Sequence, residues 1–280
     1  YENGASMQNR GFEFLVGTRG TTGFGLKYDV SANFSNWRNK VTYLPQSVLA
    51  EYGGNGTTDT ILGRCLGSYY GYTEKGLYKT ADDLAHSATH PGKGLGRIWW
   101  EDNDGDGDID LDDRVWFGTP EPLFSFGLNV SLAYKNLDFS MFWEGKAGWT
   151  ALTPTKTQTD FYAVAAEGTN RGKRILNAWT PENNKSKIPA IAYSNDNDEG
   201  RTSTYLYENH SFAKLRNIQI GYSFNFPALK SAGIDKLRIY VTGQNLIQIT
   251  SKDFSGVDPE QTSYSYPLPL TVIAGLQLGF

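Results

Sequence analysis

The chain has 280 residues, 14% of them aromatic, with 31 glycines, one cysteine and a formal net charge of −4. That length allows one large all-β domain or two ordinary ones, and the mild acidity gives no electrostatic footprint for nucleic acid. Cys65 has no partner for an internal disulfide and reads as a buried thiol; no run approaches the roughly 18 apolar residues of a membrane helix.

Taken in chain order, seven segments alternate apolar and polar residues. Successive side chains of a strand point to opposite faces, so each segment reads as a strand with one apolar face. The chain opens on Tyr1 without a signal peptide, and residues 12–19 already read as a strand, so a piece of a longer protein is expected. In that strand Phe12, Phe14 and Val16 oppose Glu13, Gly17 and Arg19, with Leu15 out of pattern. Next, Leu26, Tyr28, Val30, Ala32 and Phe34 oppose Lys27, Asp29, Ser31 and Asn33. Phe126, Leu128, Val130, Leu132 and Tyr134 oppose Gly127, Asn129, Ser131 and Ala133. Leu137, Phe139, Met141 and Trp143 oppose Asp138, Ser140, Phe142 and Glu144. Ile218, Ile220, Tyr222, Phe224 and Phe226 oppose Gln219, Gly221, Ser223 and Asn225; Leu237, Ile239 and Val241 oppose Arg238, Tyr240 and Thr242. The last strand sets Val272, Ala274, Leu276, Leu278 and Phe280 against Ile273, Gly275, Gln277 and Gly279.

Alternation alone fits two architectures. In a soluble sandwich the apolar face meets a packed core; in a membrane barrel it meets lipid and the polar face lines a wet lumen. Connection length separates them. Residues 20–24, 135–136 and 227–235 are short connections, whereas 35–123, 146–211 and 247–271 are long. Strict alternation puts every short turn at one end and every long loop at the other, as in barrels with periplasmic turns and extended external loops. Aromatics near strand ends (Tyr134, Trp143, Phe226, Phe280) fit interfacial girdles. Seven strands of this length do not close a barrel, and an open sheet in lipid leaves unsatisfied edges, so the missing strands are expected upstream.

Within the first long connection, residues 102–113 read DNDGDGDIDLDD. Against the calcium-loop pattern, Asp102, Asp104 and Asp106 take positions 1, 3 and 5, Gly107 the turn at 6, Asp108 position 7, Ile109 the apolar position 8, Asp110 position 9 and Asp113 position 12. Ca²⁺ wants six to eight oxygens, and this many carboxylates in one turn repel unless a cation is present. The competing reading is a solvated acidic loop. Its flanks, Arg97 to Trp100 and Val115 to Phe117, read as strands, which suits a loop brace and not a helical sensor pair.

Other chemistry is sparse. His86, His90 and His210 lack a zinc spacing, and no two carboxylates are specified as an acid and a base, so a non-enzymatic role is expected. The GNG stretch at 54–56 and the GTTGFG stretch at 20–25 read as turns, and a short amphipathic helix is expected around Arg174, Ile175 and Leu176. Tyr69, Tyr70, Tyr72, Trp99, Trp100, Trp149 and Trp179 either stack on sugar rings or pack the loops internally.

Several ordered segments carry a resemblance. They are NRGFEF at 9–14, GSYYGYTEKGLY at 67–78, WEDNDGDGDIDLDDRVWFG at 100–118 and LNAWTPENNKSKIP at 176–189. They continue through SFAKLRNIQIGYSF at 211–224, LRIYVTGQNL at 237–246 and VDPE at 257–260. Together they resemble the C-terminal part of the SusC/RagA family of TonB-dependent outer-membrane transporters from Bacteroidetes.

The resemblance implies that residues 1–280 are the C-terminal part of an all-β, antiparallel transmembrane β-barrel of 22 strands with a plug. The plug and first strands would precede this chain. It implies import of glycans, oligosaccharides or peptides, energised by TonB–ExbB–ExbD, under a SusD-like surface lipoprotein. Outer-membrane lipid would surround the wall, the long loops would be extracellular and the C-terminus periplasmic. The rival from another class is a secreted, calcium-braced β-rich module that binds glycans or adheres.

Overall fold

The architecture was read from a computed structural model that describes residues 4–54, 59–160, 172–192, 197–231 and 233–280. Seven long strands form one antiparallel meander: β1 Ser6–Thr21, β2 Lys27–Tyr43, β3 Phe124–Tyr134, β4 Leu137–Ala147, β5 Phe212–Phe224, β6 Lys236–Thr250 and β7 Thr271–Gly279. Their spatial order is their chain order, with β1 and β7 at the open edges. Each expected strand is present. The 20–25 stretch ends β1 at Thr21 and turns over 22–26, whereas GNG at 54–56 falls partly outside the described residues.

Register makes the apolar faces coincide. Phe14 lies opposite Phe34 and Phe34 opposite Phe126. Val130 pairs with Met141, Met141 with Ile218, Ile220 with Val241 and Val241 with Ala274. The result is one continuous apolar surface across seven strands, and it is uncovered. Phe14 is 64% exposed, Val16 69% and Leu276 59%. A sandwich needs a second layer over this face, and none is present among the described residues.

The strands run further than their alternation signals, mostly towards the long loops. β1 starts at Ser6 and β2 runs on to Tyr43, where both faces carry polar residues and the period fades. In β5 the register shifts between Leu215 and Asn217 against both neighbours. This bulge inserts Arg216 and inverts side-chain parity, which hid residues 212–217 from a period-2 reading. Asn245 in β6, opposite the same irregularity, takes φ 54°.

The buried core lies elsewhere, in the long connections. Tyr69–Gly71 pairs with Val115–Gly118, Glu74–Leu77 with Ile98–Trp100, and Thr150–Leu152 with Tyr207–Asn209. Around them Leu77, Ile98, Trp100, Ile109, Trp179, Tyr205 and Leu206 pack into one cluster. A smaller cluster of Val41, Leu44 and Ile61 fastens the first loop to the top of β2. The amphipathic stretch expected near Arg174 is a single 3₁₀ turn, Lys173–Asn177.

Candidate functional site: the polar wall and its loop cap

The face opposite the apolar surface carries Asp29, Asn33, Asn129, Ser131, Asp138, Ser140, Glu144, Gln219, Arg238 and Gln277, brought side by side by the same register. Two ionic constructions stand on it. Near the short turns, the guanidinium of Arg238 on β6 reaches over β5 to Asp138 on β4, with Arg238 Nε donating to Oδ2 at 2.9 Å. The strand between offers Gly221 there, and a side chain at that position would collide with both partners. A shallow concavity of about 560 Å³ at this end is lined in part by Arg19, Asp29, Ser131, Asp138 and Ser140.

Near the long loops, the β5 bulge aims Lys214 and Arg216 at the loop after β6. Lys214 Nζ contacts Asp258 at 2.5 Å and Glu260 at 2.6 Å; Arg216 contacts Glu260 at 2.5 Å and Glu144 at 2.9 Å. Burial by itself would raise both loop carboxyls. For Asp258 the Lys214 hydrogen bond and backbone N–H groups outweigh it, and for Glu260 the hydrogen bonds from Arg216 and Lys214 do, so both pKa values are lowered. Two of the four residues of VDPE thus clamp the last loop to the wall.

A second buried junction joins the other loops. Lys156 pairs with Glu208 at 2.8 Å, and Glu208 accepts from Thr153 Oγ1 at 2.7 Å and from the Ser255 backbone N–H at 3.0 Å. His210 contacts the Pro259 carbonyl through Nδ1 at 2.8 Å, and burial lowers its pKa. Asp160 accepts from Tyr205 Oη and Arg174 Nε, each at 2.6 Å. Glu199, fully buried, accepts from Arg97 Nε at 3.0 Å and from the Ile98 N–H at 3.2 Å. Buried charges persist only when paired and hydrogen-bonded, and these are. The sequence reading missed this set, because nothing in chain spacing links residues 97 and 199, or 156 and 208.

The aromatic residues of the loops pack mainly on one another. Tyr69 meets Tyr207 with centroids 4.4 Å apart, Tyr70 meets Trp116 at 5.0 Å, Tyr78 stacks on Trp99 at 5.4 Å and Trp149 meets His210 at 5.3 Å. Of the two readings left open, internal packing is the one observed. Gly71 lies between Tyr70 and Tyr72 because the Thr202 backbone passes there; Tyr72 N–H donates to the Thr202 carbonyl at 3.0 Å.

The acidic loop follows its expected geometry in part. One carboxylate oxygen each from Asp102, Asp104 and Asp106 lie within 4.8 Å of one another. Asp108 and Asp110 lie outside this group. Asp113 is buried, and its two oxygens accept from the backbone N–H groups of Asn103 and Asp110, both at 2.7 Å. It braces the loop from within. Ile109 enters the main cluster, as its apolar position requires. The Asp106 N–H favours the charged form of Asp104, yet desolvation and the neighbouring carboxylates raise its pKa. Such crowding suits a cation.

No family model matches the chain. It is 31% identical over 267 residues to TonB-dependent receptor P3 of Formosa agariphila, covering 92% of this chain and 26% of that protein. It is 27% identical over 296 residues to TonB-dependent receptor SusC of Bacteroides thetaiotaomicron, covering 100% and 27% respectively. Among solved structures it overlays the RagAB peptide transporter with a TM-score of 0.72 at 23% identity, covering 100% of this chain and 30% of that one. The chain therefore spans between a quarter and a third of the length of the relatives it matches. The meander, its uncovered apolar face and these relatives agree, and the chain belongs with the SusC/RagA family of TonB-dependent receptors, whose fold is the outer-membrane β-barrel.

Proposed function

We propose that this chain is the C-terminal part of the barrel of a SusC-type importer, which moves oligosaccharides or peptides across the outer membrane. The observation that supports it best is the sheet itself, with one uncovered apolar face and one hydrogen-bonding face. An apolar belt facing lipid and a polar wall facing water is how a barrel both sits in a bilayer and passes a hydrated cargo. The clamp of Lys214 and Arg216 on Asp258 and Glu260 holds the last loop at the mouth, so the entrance keeps a fixed shape. A SusD-like surface lipoprotein would close the loop end, which places the long loops outside and the C-terminus in the periplasm. TonB–ExbB–ExbD would supply energy through parts of the protein upstream of this chain.

The full-length protein, purified from outer membranes in mild detergent, is expected to co-elute with one stoichiometric surface lipoprotein. Uptake assays with labelled oligosaccharides and labelled peptides then identify the cargo. Recovery in the soluble fraction would reject the importer and favour the secreted adhesive module.

We also propose that Asp102, Asp104 and Asp106 hold a structural Ca²⁺, with the Asp108 carbonyl and Asp110 completing the oxygen set and Asp113 shaping the loop. Three hard oxygen donors converge without a basic side chain among them, which matches the ion's ligand preference. Asp104→Ala combined with Asp106→Ala should lower the melting temperature of the loop assembly and remove its dependence on calcium. Identical melting of the unaltered protein with and without chelator would reject the site.

A further inference from the structure

The apolar face carries an exception. By register, its side chains are Gln8, Arg10, Phe12, Phe14 and Val16 on β1, and Phe34, Asn36, Arg38 and Lys40 on β2. Parity carries this face across β3–β7, where its members are uncharged. Arg10, Arg38 and Lys40 are thus the charged side chains of this face among the described residues. All three are exposed. None takes part in an ion pair with a described residue. On the opposite face Arg238 pairs with Asp138 and Arg216 with Glu144.

Arg10 lies directly across from Arg38, and Gln8 across from Lys40. Like charges facing each other across a strand pair are destabilising, so this arrangement implies a counter-anion from outside the sheet. Its height is informative. The apolar run from Phe12 to Gly20 extends about 27 Å along the strand, and a tilt of about 40° brings that near the height of a barrel's lipid-facing band. Arg10 and Arg38 sit about 7 Å beyond Phe12 and Lys40 about 13 Å, at the long-loop margin of the band. Immediately below them Phe12, Phe14, Phe34 and Phe124 form a continuous aromatic patch, with Phe12–Phe14 centroids at 5.4 Å, Phe12–Phe34 at 6.1 Å and Phe34–Phe124 at 5.2 Å. Long basic side chains at such a margin lie with their stems on apolar surface and their charge at the polar boundary.

We propose that Arg10, Arg38 and Lys40 bind the phosphorylated headgroup of an outer-leaflet lipid, whose acyl chains lie against the phenylalanine patch. Two guanidiniums supply planar, bidentate donors suited to phosphate, and Lys40 adds a point charge. The patch below distinguishes a lipid phosphate from a free one, because only the lipid occupies both parts. The inference rests on the membrane-barrel reading above.

The test uses the full-length protein, reconstituted in nanodiscs containing a bisphosphorylated lipid A or its dephosphorylated form. Bound lipid per protein is read by mass spectrometry after detergent extraction and repurification. The unaltered protein should retain the phosphorylated lipid. Arg10→Gln with Arg38→Gln and Lys40→Gln should lower retention about tenfold. Lys185→Gln with Lys187→Gln and Lys252→Gln, the same charge change on exposed loop residues, should leave it intact. Equal retention by the first triple variant, or equal retention of the dephosphorylated lipid, overturns the site. Displacement of the lipid by millimolar inorganic phosphate assigns the cations to a free anion and overturns the lipid assignment. Heat-modifiable migration in gels reports barrel insertion separately, so failure of the barrel reading is distinguishable from failure of this one.

Discussion

The wall and the loop assembly bury opposite things. In the sheet the large apolar side chains point outwards, and apart from Arg10, Arg38 and Lys40 the charges lie on the inner face, where Arg238 pairs with Asp138 and Arg216 with Glu144. In the loops the order is that of a soluble protein: Trp100 is 1% exposed, Tyr78 is fully buried, and polar groups ring the cluster. A chain this polar, with a mean hydropathy of −0.46, can be a membrane protein because only one face of each strand meets lipid. The loops have no lipid to shield them, so they need a core of their own. Burial therefore marks opposite residue classes in the two halves.

The largest expected effect tests the claim that the loops fold as a separate body. Trp100→Ala removes a fully packed indole from the main loop cluster, where Tyr72 and Arg201 also contact it. It should cost about 3–5 kcal/mol. Protease cleavage within 44–123 and 148–211 should rise sharply while heat-modifiable migration of the barrel persists. Simultaneous loss of both would show that wall and loops are one cooperative unit.

The joint between the halves comes next. Lys214→Met leaves Asp258 buried without its cation, a change that costs about 3–5 kcal/mol when such a pair is fully buried, and less here because Glu260 is partly open to solvent. The variant should free the last loop, read as faster hydrogen exchange over 251–270. Acid should likewise lower the protection factors of this segment in the unaltered protein. Asp258 and Glu260 have lowered pKa values, so their contribution is full above the ordinary carboxylate range and is lost as pH falls through the lowered values. Protection factors over 251–270, with the intrinsic pH dependence of exchange divided out, that do not fall in acid would rule out the clamp.

The smallest effect sharpens the two faces of the wall. Val16→Arg puts a charge near the middle of the apolar band and should cost about 2–4 kcal/mol of barrel stability. Gly17→Arg, one residue along and facing the other way, should cost far less by the same argument. Urea titrations of both variants folded into vesicles give the comparison, and equal losses would mean that the faces are misassigned.

The acidic loop and the strand count were legible from short windows. Strands announce themselves by period 2, and an acidic turn by its spaced aspartates and glycines. Strand ends towards the loops were not, because polar residues there occupy both faces and the bulge at Arg216 inverts the period mid-strand. Asp113 shows the same limit at one residue. Spacing assigns it to the cation, but its two oxygens are held by the Asn103 and Asp110 amides. The motifs of the family resemblance gained physical reasons only in three dimensions. Gly71 makes room for the Thr202 backbone, Trp179 is a core side chain, and Asp258 and Glu260 are the anionic half of the clamp.

By itself the sequence determined the strands, their two faces and the alternation of short and long connections, since each follows from residues adjacent in the chain. Only the tertiary structure decided what each face meets and which loop charges are partners. Leu77, Ile98, Trp179 and Leu206 are scattered over 130 residues of chain, and the Arg97–Glu199 and Lys156–Glu208 pairs span 102 and 52 positions. No local period encodes such separations. They are fixed by packing, once the meander has carried the loop ends to one side of the sheet.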